Sequence, residues 1–254
     1  MMSDLVVAWF SCGVPSAVAA KLAIERHKNV MVVNTPVAEE HIDNNRFLAD
    51  CEKWFGQKVI LATNPKYKFS SCDEVWRKRR FMSGIHGAPC TKELKKEARY
   101  EFEKQHDIAY HLLGFTADEK NRADRFKLTE RANTITPLID DNLTREDCAA
   151  IISDAGITIP EMYKLGYPNN NCIGCVKATS PTYWNKVRET HPEVFKERSE
   201  LSKELGVRLV RVRGERIFLD ELKETDRGKP LKSLKFDCGL FCEEYQEEPQ
   251  KERG

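Results

Sequence analysis

Short apolar runs alternate with polar, helix-periodic stretches through the first half of the chain. Residues 5–10 (Leu-Val-Val-Ala-Trp-Phe) and 29–34 (Asn-Val-Met-Val-Val-Asn) read as buried parallel strands. Between them, residues 16–27 carry Val18, Leu22 and Ala23 at helical spacing. Residues 39–55 form a second helix closed by Gly56, and residues 58–62 a third strand. Residues 71–82 and 91–106 follow as helices, and residues 108–113 as a fourth strand. This alternation predicts an α/β fold: a three-layer, doubly wound, mostly parallel sheet. Ligands of such sheets bind beyond the carboxyl ends of the strands. After Pro137 the pattern turns helical. Residues 144–155 form a helix with Thr144 as N-cap and Gly156 as stop, and residues 181–191 and 192–205 two more. Residues 207–212 and 216–219 suit a small hairpin around Arg213-Gly-Glu215.

Composition changes this picture little. Of 254 residues, 41% are hydrophobic and 32% charged, and the formal net charge is +1, so no global field favours nucleic acid or a membrane. No apolar run approaches the roughly 20 residues of a membrane span. The first residues lack a basic leader and read directly into a strand, so the expected compartment is the cytoplasm. The tail, residues 243–254, is acidic and polar and is expected to be disordered.

The nine cysteines matter more. In a reduced compartment structural disulfides are disfavoured. Cys172 and Cys175 form Cys-x2-Cys around Gly174, and Cys238 and Cys242 form Cys-x3-Cys. Two such pairs can close a four-thiolate metal or iron–sulfur site, or one can hold a redox thiol. Cys51, Cys148 and Cys72 are expected to be small buried hydrophobes. Cys90 precedes Thr91, a candidate N-cap, so a thiolate there would gain from the helix N-terminus and from Lys92, Lys95 and Lys96. His27, His41, His86, His106, His111 and His191 show no metal spacing and are assigned to structure or surface.

Phe10-Ser-Cys-Gly-Val-Pro-Ser16 joins the first strand to a helix. Its small residues let backbone amides turn inward toward an anion, assisted by the helix N-terminus and the hydroxyls of Ser11 and Ser16. Such a turn is also a common helix cap. Further segments add weight in order: Asn34-Thr-Pro-Val-Ala-Glu-Glu; Gly87-Ala-Pro-Cys-Thr-Lys-Glu-Leu-Lys; Gly114-Phe-Thr-Ala-Asp-Glu-Lys-Asn-Arg122; and Pro137-Leu. Tyr163-Lys-Leu-Gly-Tyr167 and Cys172-Ile-Gly-Cys175 complete the series. Together, over residues 5–190, they resemble the phosphoadenosine phosphosulfate (PAPS) reductase family of the adenine-nucleotide α-hydrolase-like (PP-loop) superfamily.

The resemblance implies an adenine-nucleotide site from Ser11, Cys12, Gly13, Ser16, Asn34, Thr35, Gly114, Glu119 and Arg122. It implies a nucleotide-binding α/β domain over residues 1–140 and a helical, cysteine-bearing region over residues 141–242 packed on it. Cys90, Cys172 and Cys175 match cluster-bearing relatives, with Cys242 as the candidate fourth ligand. A [4Fe-4S] cluster is the expected cofactor, with zinc as the alternative. Asp237-Cys-Gly-Leu240 is similar to the tail whose cysteine attacks the sulfate sulfur, which makes Cys238 the candidate nucleophile; Cys242 then remains a ligand, a resolving thiol or a bystander.

Two departures stand out. PP-loop ATP pyrophosphatases carry an Asp where this chain has Pro15, which puts ATP cleavage in doubt. Thr116 stands where the family has an Arg, leaving Arg122 as a catalytic candidate beside Glu119. Arg125, Arg131 or the run 77–80 could compensate, although such a run more often forms a solvated helix face. The first expectation is therefore reduction of an adenylyl-sulfate (PAPS or APS) to sulfite, with thioredoxin or glutaredoxin as partner. A cluster-dependent sulfurtransferase acting on tRNA, DNA or a metabolite after ATP adenylylation is the alternative, and nucleic acid is a partner only there. A nucleotide-binding protein without catalysis is the third. A homodimer is compatible with all three.

Overall fold

A computed structural model describes residues 3–84 and 87–233. His86, Cys238, Cys242 and the tail 243–254 lie outside the described residues.

Five parallel strands form the central sheet. They are β1 (Val6–Trp9), β2 (Val30–Asn34), β3 (Ile60–Leu61), β4 (Tyr110–Leu112) and β5 (Thr134–Ile135), in the order β3-β2-β1-β4-β5. β1 is central and wholly buried, because helices cover both faces of a parallel sheet. Its side chains alternate. Val6 and Ala8, with Phe10 beyond them, enter one core with α1 (Val14–Arg26), α2 (Asn44–Phe55) and α7 (Arg145–Asp154). Val7 and Trp9 enter another with Phe102 of α4 (Glu97–Glu103) and Phe126 of α5 (Lys120–Thr129). Ala17, Ala19, Ala20 and Ala23 are buried on α1, and their small size lets the helix lie close to its neighbours.

The expected doubly wound architecture is present. Chain order reverses between β1 and β4, and the crevice beyond their carboxyl ends is where such folds take ligands. Caps follow the sequence closely. Gly56 closes α2 at φ 72°, and Thr144 opens α7 through a reciprocal capping box with Asp147.

Two expectations need correction. β5 has no counterpart in the sequence pattern, since the two residues Thr134 and Ile135 carry no strand periodicity. The helix expected over residues 91–106 begins as a wide π-turn, Thr91–Lys96, before α4. Cys90, with helical backbone, takes the cap position expected of Thr91.

The C-terminal helices α9 (Pro181–Thr190) and α10 (Pro192–Glu204) and the hairpin β6 (Val210–Val212)–β7 (Glu215–Ile217) make a third core. That core includes residues of α3 (Cys72–Arg79) and, within it, Cys72, Cys90, Cys172 and Cys175. No helix among the described residues is long and apolar enough to cross a membrane.

Candidate active site

The turn after β1 fixes the floor of the crevice. Gly13 is the N-cap of α1, and Pro15 occupies the first turn, where its missing N–H costs nothing. Ser16 Oγ accepts from the Ser11 amide at 3.1 Å and donates to the Gly13 carbonyl at 2.8 Å. The Ser16 hydroxyl thus shapes the loop rather than pointing wholly at a ligand. Cys12 has φ 56°, a conformation that favours glycine. Burial pushes its thiol well above the ordinary range, with Glu40 adding to the effect. Asn34 holds the loop from behind, donating to the Phe10 carbonyl at 2.7 Å. Asn170 donates to the Cys12 carbonyl at 2.8 Å and to Asn44 Oδ1 at 2.7 Å.

An open cleft of about 170 Å³ lies over this loop. Seven of the candidate nucleotide residues line it: Ser11, Gly13, Ser16, Thr35, Gly114, Glu119 and Arg122. Cys12 and Asn34 stand behind the loop as its supports. The cleft wall also carries Lys95, Arg145, Asn170 and Cys172. Neither Lys95, expected beside Cys90, nor Arg145 was expected in the cleft. Lys95 donates to the Thr35 carbonyl and to Glu40 Oε1 at 2.7 Å, and Arg145 reaches the Pro168 carbonyl and Asn169 Oδ1, each at 2.7 Å. Their only sequence signals are an Arg one residue after a cap and a Lys inside the Cys-Thr-x-x-Leu-Lys element.

Thr116, where the family has an arginine, caps the short turn Ala117–Glu119. Its amide donates to Glu119 Oε2 at 3.2 Å and its hydroxyl to Asp118 Oδ1 at 2.7 Å. Arg122 pairs with Glu119 Oε1 at 2.7 Å and lies over the Phe115 ring at 5.2 Å. The other basic candidates are engaged elsewhere. Arg77 and Arg80 meet Glu204, Arg79 meets Glu93, and Arg131 meets Glu103. None of these, nor Arg125, is among the residues lining the cleft.

The thiols lie beside the cleft. All seven described cysteines are buried. Cys72, expected to be a small buried hydrophobe, sits at the first position of α3 and is buried. The neighbouring Cys172 and Cys90, with burial added, hold its thiol well above the ordinary range. Cys175 donates its amide to the Tyr183 hydroxyl at 2.8 Å. Gly174, at φ 65°, makes the intervening turn. The lysines expected to favour a Cys90 thiolate point elsewhere: Lys95 to Glu40 and Lys96 to Glu130. Thiol donors of this kind suit iron–sulfur or zinc chemistry. Among the described residues, however, no group of three or more His, Cys, Asp or Glu is arranged to hold a metal ion.

No curated protein matches the sequence. Among solved structures, a PAPS reductase from Candida auris in complex with phosphate is similar at TM-score 0.49 and 14% identity, over 68% of this chain and 82% of that one. The family model described as "Phosphoadenosine phosphosulfate reductase domain" matches residues 5–181, which take in β1, the anion loop, Gly114, Arg122 and both Cys90 and Cys172-Ile-Gly-Cys175. On that match, this chain belongs to the phosphoadenosine phosphosulfate reductase family.

Proposed function

We propose that the protein reduces an adenylyl-sulfate nucleotide to sulfite. The observation carrying this reading is the cleft itself: an anion loop without its aspartate, with Arg122 and Arg145 on the walls and a cysteine, Cys172, at its edge. Backbone amides at the start of α1 take the phosphate, and the two guanidiniums offer planar forks to phosphate and sulfate oxygens. Both carboxylates lining the cleft, Glu40 and Glu119, are paired with cations, which leaves them poorly placed to hold Mg–ATP.

In the reaction, the Cys238 thiolate attacks the sulfate sulfur. The S–O bond to the nucleotide phosphate breaks, the nucleotide leaves with the electron pair, and the enzyme carries a thiosulfonate. A dithiol protein such as thioredoxin or glutaredoxin then attacks the cysteine sulfur, releasing sulfite, and its second thiol closes the resulting mixed disulfide to restore the Cys238 thiol. Cys90, Cys172 and Cys175, with Cys242 as the fourth ligand the resemblance implies, are the residues that would hold a [4Fe-4S] cluster, which would supply redox-capable iron.

The position of Cys172, in the cleft lining and in one core with Cys90 and Cys175, favours a second reading. In it, ATP activates a nucleic acid or metabolite, and sulfur is delivered from the thiol side. One experiment separates the two. The purified protein is incubated with PAPS, APS or ATP, with reduced thioredoxin in the first two arms. Sulfite release that disappears in Cys238→Ser is the expected result. No sulfite from either nucleotide, with ATP bound and AMP or pyrophosphate released on a tRNA pool, overturns it in favour of the second.

A further inference from the structure

A strap of three asparagines, Asn169-Asn170-Asn171, lines the cleft just ahead of Cys172. Asn169 Oδ1 accepts from Arg145. Asn170, in the middle, is 8% exposed. Its Nδ2 donates inside the protein, to the Cys12 carbonyl at 2.8 Å and to Asn44 Oδ1 at 2.7 Å. Its Oδ1 is buried and has no hydrogen-bond partner among the described residues.

The two ends of that amide cannot be exchanged. A carbonyl only accepts, so the group facing Cys12 is the NH2. Asn44 is fixed in the same way: its own Nδ2 donates to Glu40 Oε2 at 3.3 Å, which leaves its Oδ1 to face Asn170. Glu40 is anchored in turn by Lys95. Turning the Asn170 amide over would set its oxygen against two other acceptors. The polar chain from Lys95 through Glu40, Asn44 and Asn170 to the anion loop therefore ends with one oxygen that lacks a donor. A buried acceptor left unpaired is costly and uncommon, and a donor on a bound ligand relieves it.

We infer that Asn170 reads the sugar of the nucleotide: its Oδ1 accepts a hydrogen bond from a ribose hydroxyl, while its Nδ2 holds the anion loop. The inference rests on the reading that the cleft takes an adenine nucleotide. Around Asn170 the cleft offers donors, among them Ser11, Lys95, Arg122 and Arg145. Those suit phosphate and sulfate oxygens, which only accept. An acceptor in that company serves a different part of the ligand. The donors of an adenine nucleotide are the ribose hydroxyls and the amine of the base. Asn170 is bonded to the anion loop, so it stands beside the phosphate. The sugar is the group joined to the phosphate, and the amine lies at the far end of the base. One amide thus ties the presence of a ribose to the shape of the loop that holds the phosphate.

The test is calorimetric titration of full-length protein with AMP, 2′-deoxy-AMP and 3′-deoxy-AMP. In wild type, one of the two deoxy nucleotides is expected to bind about tenfold more weakly than AMP, as when a buried polar group is left unpaired. Which one it is names the hydroxyl. In Asn170→Ala that gap is expected to close, whatever the variant loses in affinity for all three through the freed Cys12 carbonyl. A residue that only props the loop would lower the three affinities together and leave the gap intact. Thermal melts show whether the variant folds, and Asn170→Ser replaces it where it does not. Equal affinity of wild type for the three nucleotides overturns the inference, as does a gap that persists in the folded variant. Failure of wild type to bind AMP overturns it together with the reading beneath it. Binding is read without sulfate nucleotide or reductant. A protein that shows the gap but makes no sulfite therefore sinks the functional proposal and leaves this one standing, and sulfite without the gap does the reverse.

Discussion

Gly114 lies against the backbone of Ser16: a Cβ on Gly114 would stand 2.8 Å from both the Ser16 Cα and its amide nitrogen. The atoms it would strike are main chain, at the start of α1, and cannot swing aside. The end of β4 and the anion loop therefore touch only because residue 114 has no side chain. Gly114→Ala should push the loop from β4, costing about 2–3 kcal/mol of stability and abolishing nucleotide binding. Urea denaturation and nucleotide titration of the same variant check it; near-wild-type binding would show that the loop can yield.

Arg122 should act on the ligand rather than the fold. Its side chain is 37% exposed and pairs with Glu119 at 2.7 Å. Arg122→Ala should raise KM for the nucleotide at least tenfold, equivalent to about 1.4 kcal/mol. The melting curve should move little, since exposed substitutions are usually worth less than about 0.5 kcal/mol. Arg122→Lys should restore only part of the affinity, because an ammonium lacks the guanidinium fork. Steady-state kinetics beside thermal melts separate these outcomes.

The Cys172–Cys175 turn depends on Gly174 in two ways. Its φ of 65° disfavours any side chain, and a Cβ would meet Val194 Cγ1 at 3.0 Å and Arg198 Cγ at 3.2 Å. Gly174→Ala should destabilise by about 1–2 kcal/mol and displace the Cys175 amide from Tyr183. Chemical denaturation gives the first quantity. Tyrosine absorbance against pH gives the second, because burial now holds the Tyr183 hydroxyl well above its ordinary titration range.

What could be read from the chain depended on whether the signal was local. β1, β2 and β4 are apolar runs between turn residues, and α7 announces itself through Thr144 and Gly156, so each was legible from neighbours in sequence. β5 was not: Thr134 and Ile135 become a strand only because β4 offers them an edge. The anion loop, Gly114 and Arg122 were legible through spaced motifs. Lys95, Arg145 and Asn170 were not, because what makes them site residues is a partner 60, 23 or 158 positions away. Cys72 is the sharpest case. Within Ser70-Ser-Cys-Asp it reads as a residue beside a helix cap, and only the fold puts it in one core with Cys90 and Cys172.

Lys95 and Glu40 form a nearly buried pair, 6% and 12% exposed. Removing one partner leaves a charge without its counterion in a place water reaches poorly. Lys95→Met should cost about 3–5 kcal/mol, and Lys95→Met with Glu40→Gln should recover part of that, since the lone carboxylate is gone. A double-mutant cycle by urea denaturation measures the coupling. A double variant no better than the single would place the role of Lys95 in its bond to the Thr35 carbonyl instead.

His111 gives the fold a pH dependence with a definite sign. It lies on β4, accepts from Trp9 Nε1 at 3.1 Å through Nδ1, and stacks on that indole. Burial lowers its pKa from 6.5 to about 4, against the pull of Glu103; Arg131 and Arg99 push the same way as burial. Between these two pH values the unfolded chain holds a proton that the folded chain does not. Stability from this group is therefore complete above about pH 6.5 and is lost as pH falls toward 4, by on the order of 2–3 kcal/mol. Denaturation midpoints measured from pH 4 to 7 should rise with pH in wild type. In His111→Gln, which keeps an acceptor for Trp9 but cannot titrate, the slope across that window should flatten. An unchanged slope would assign the pH dependence to carboxylates instead of His111.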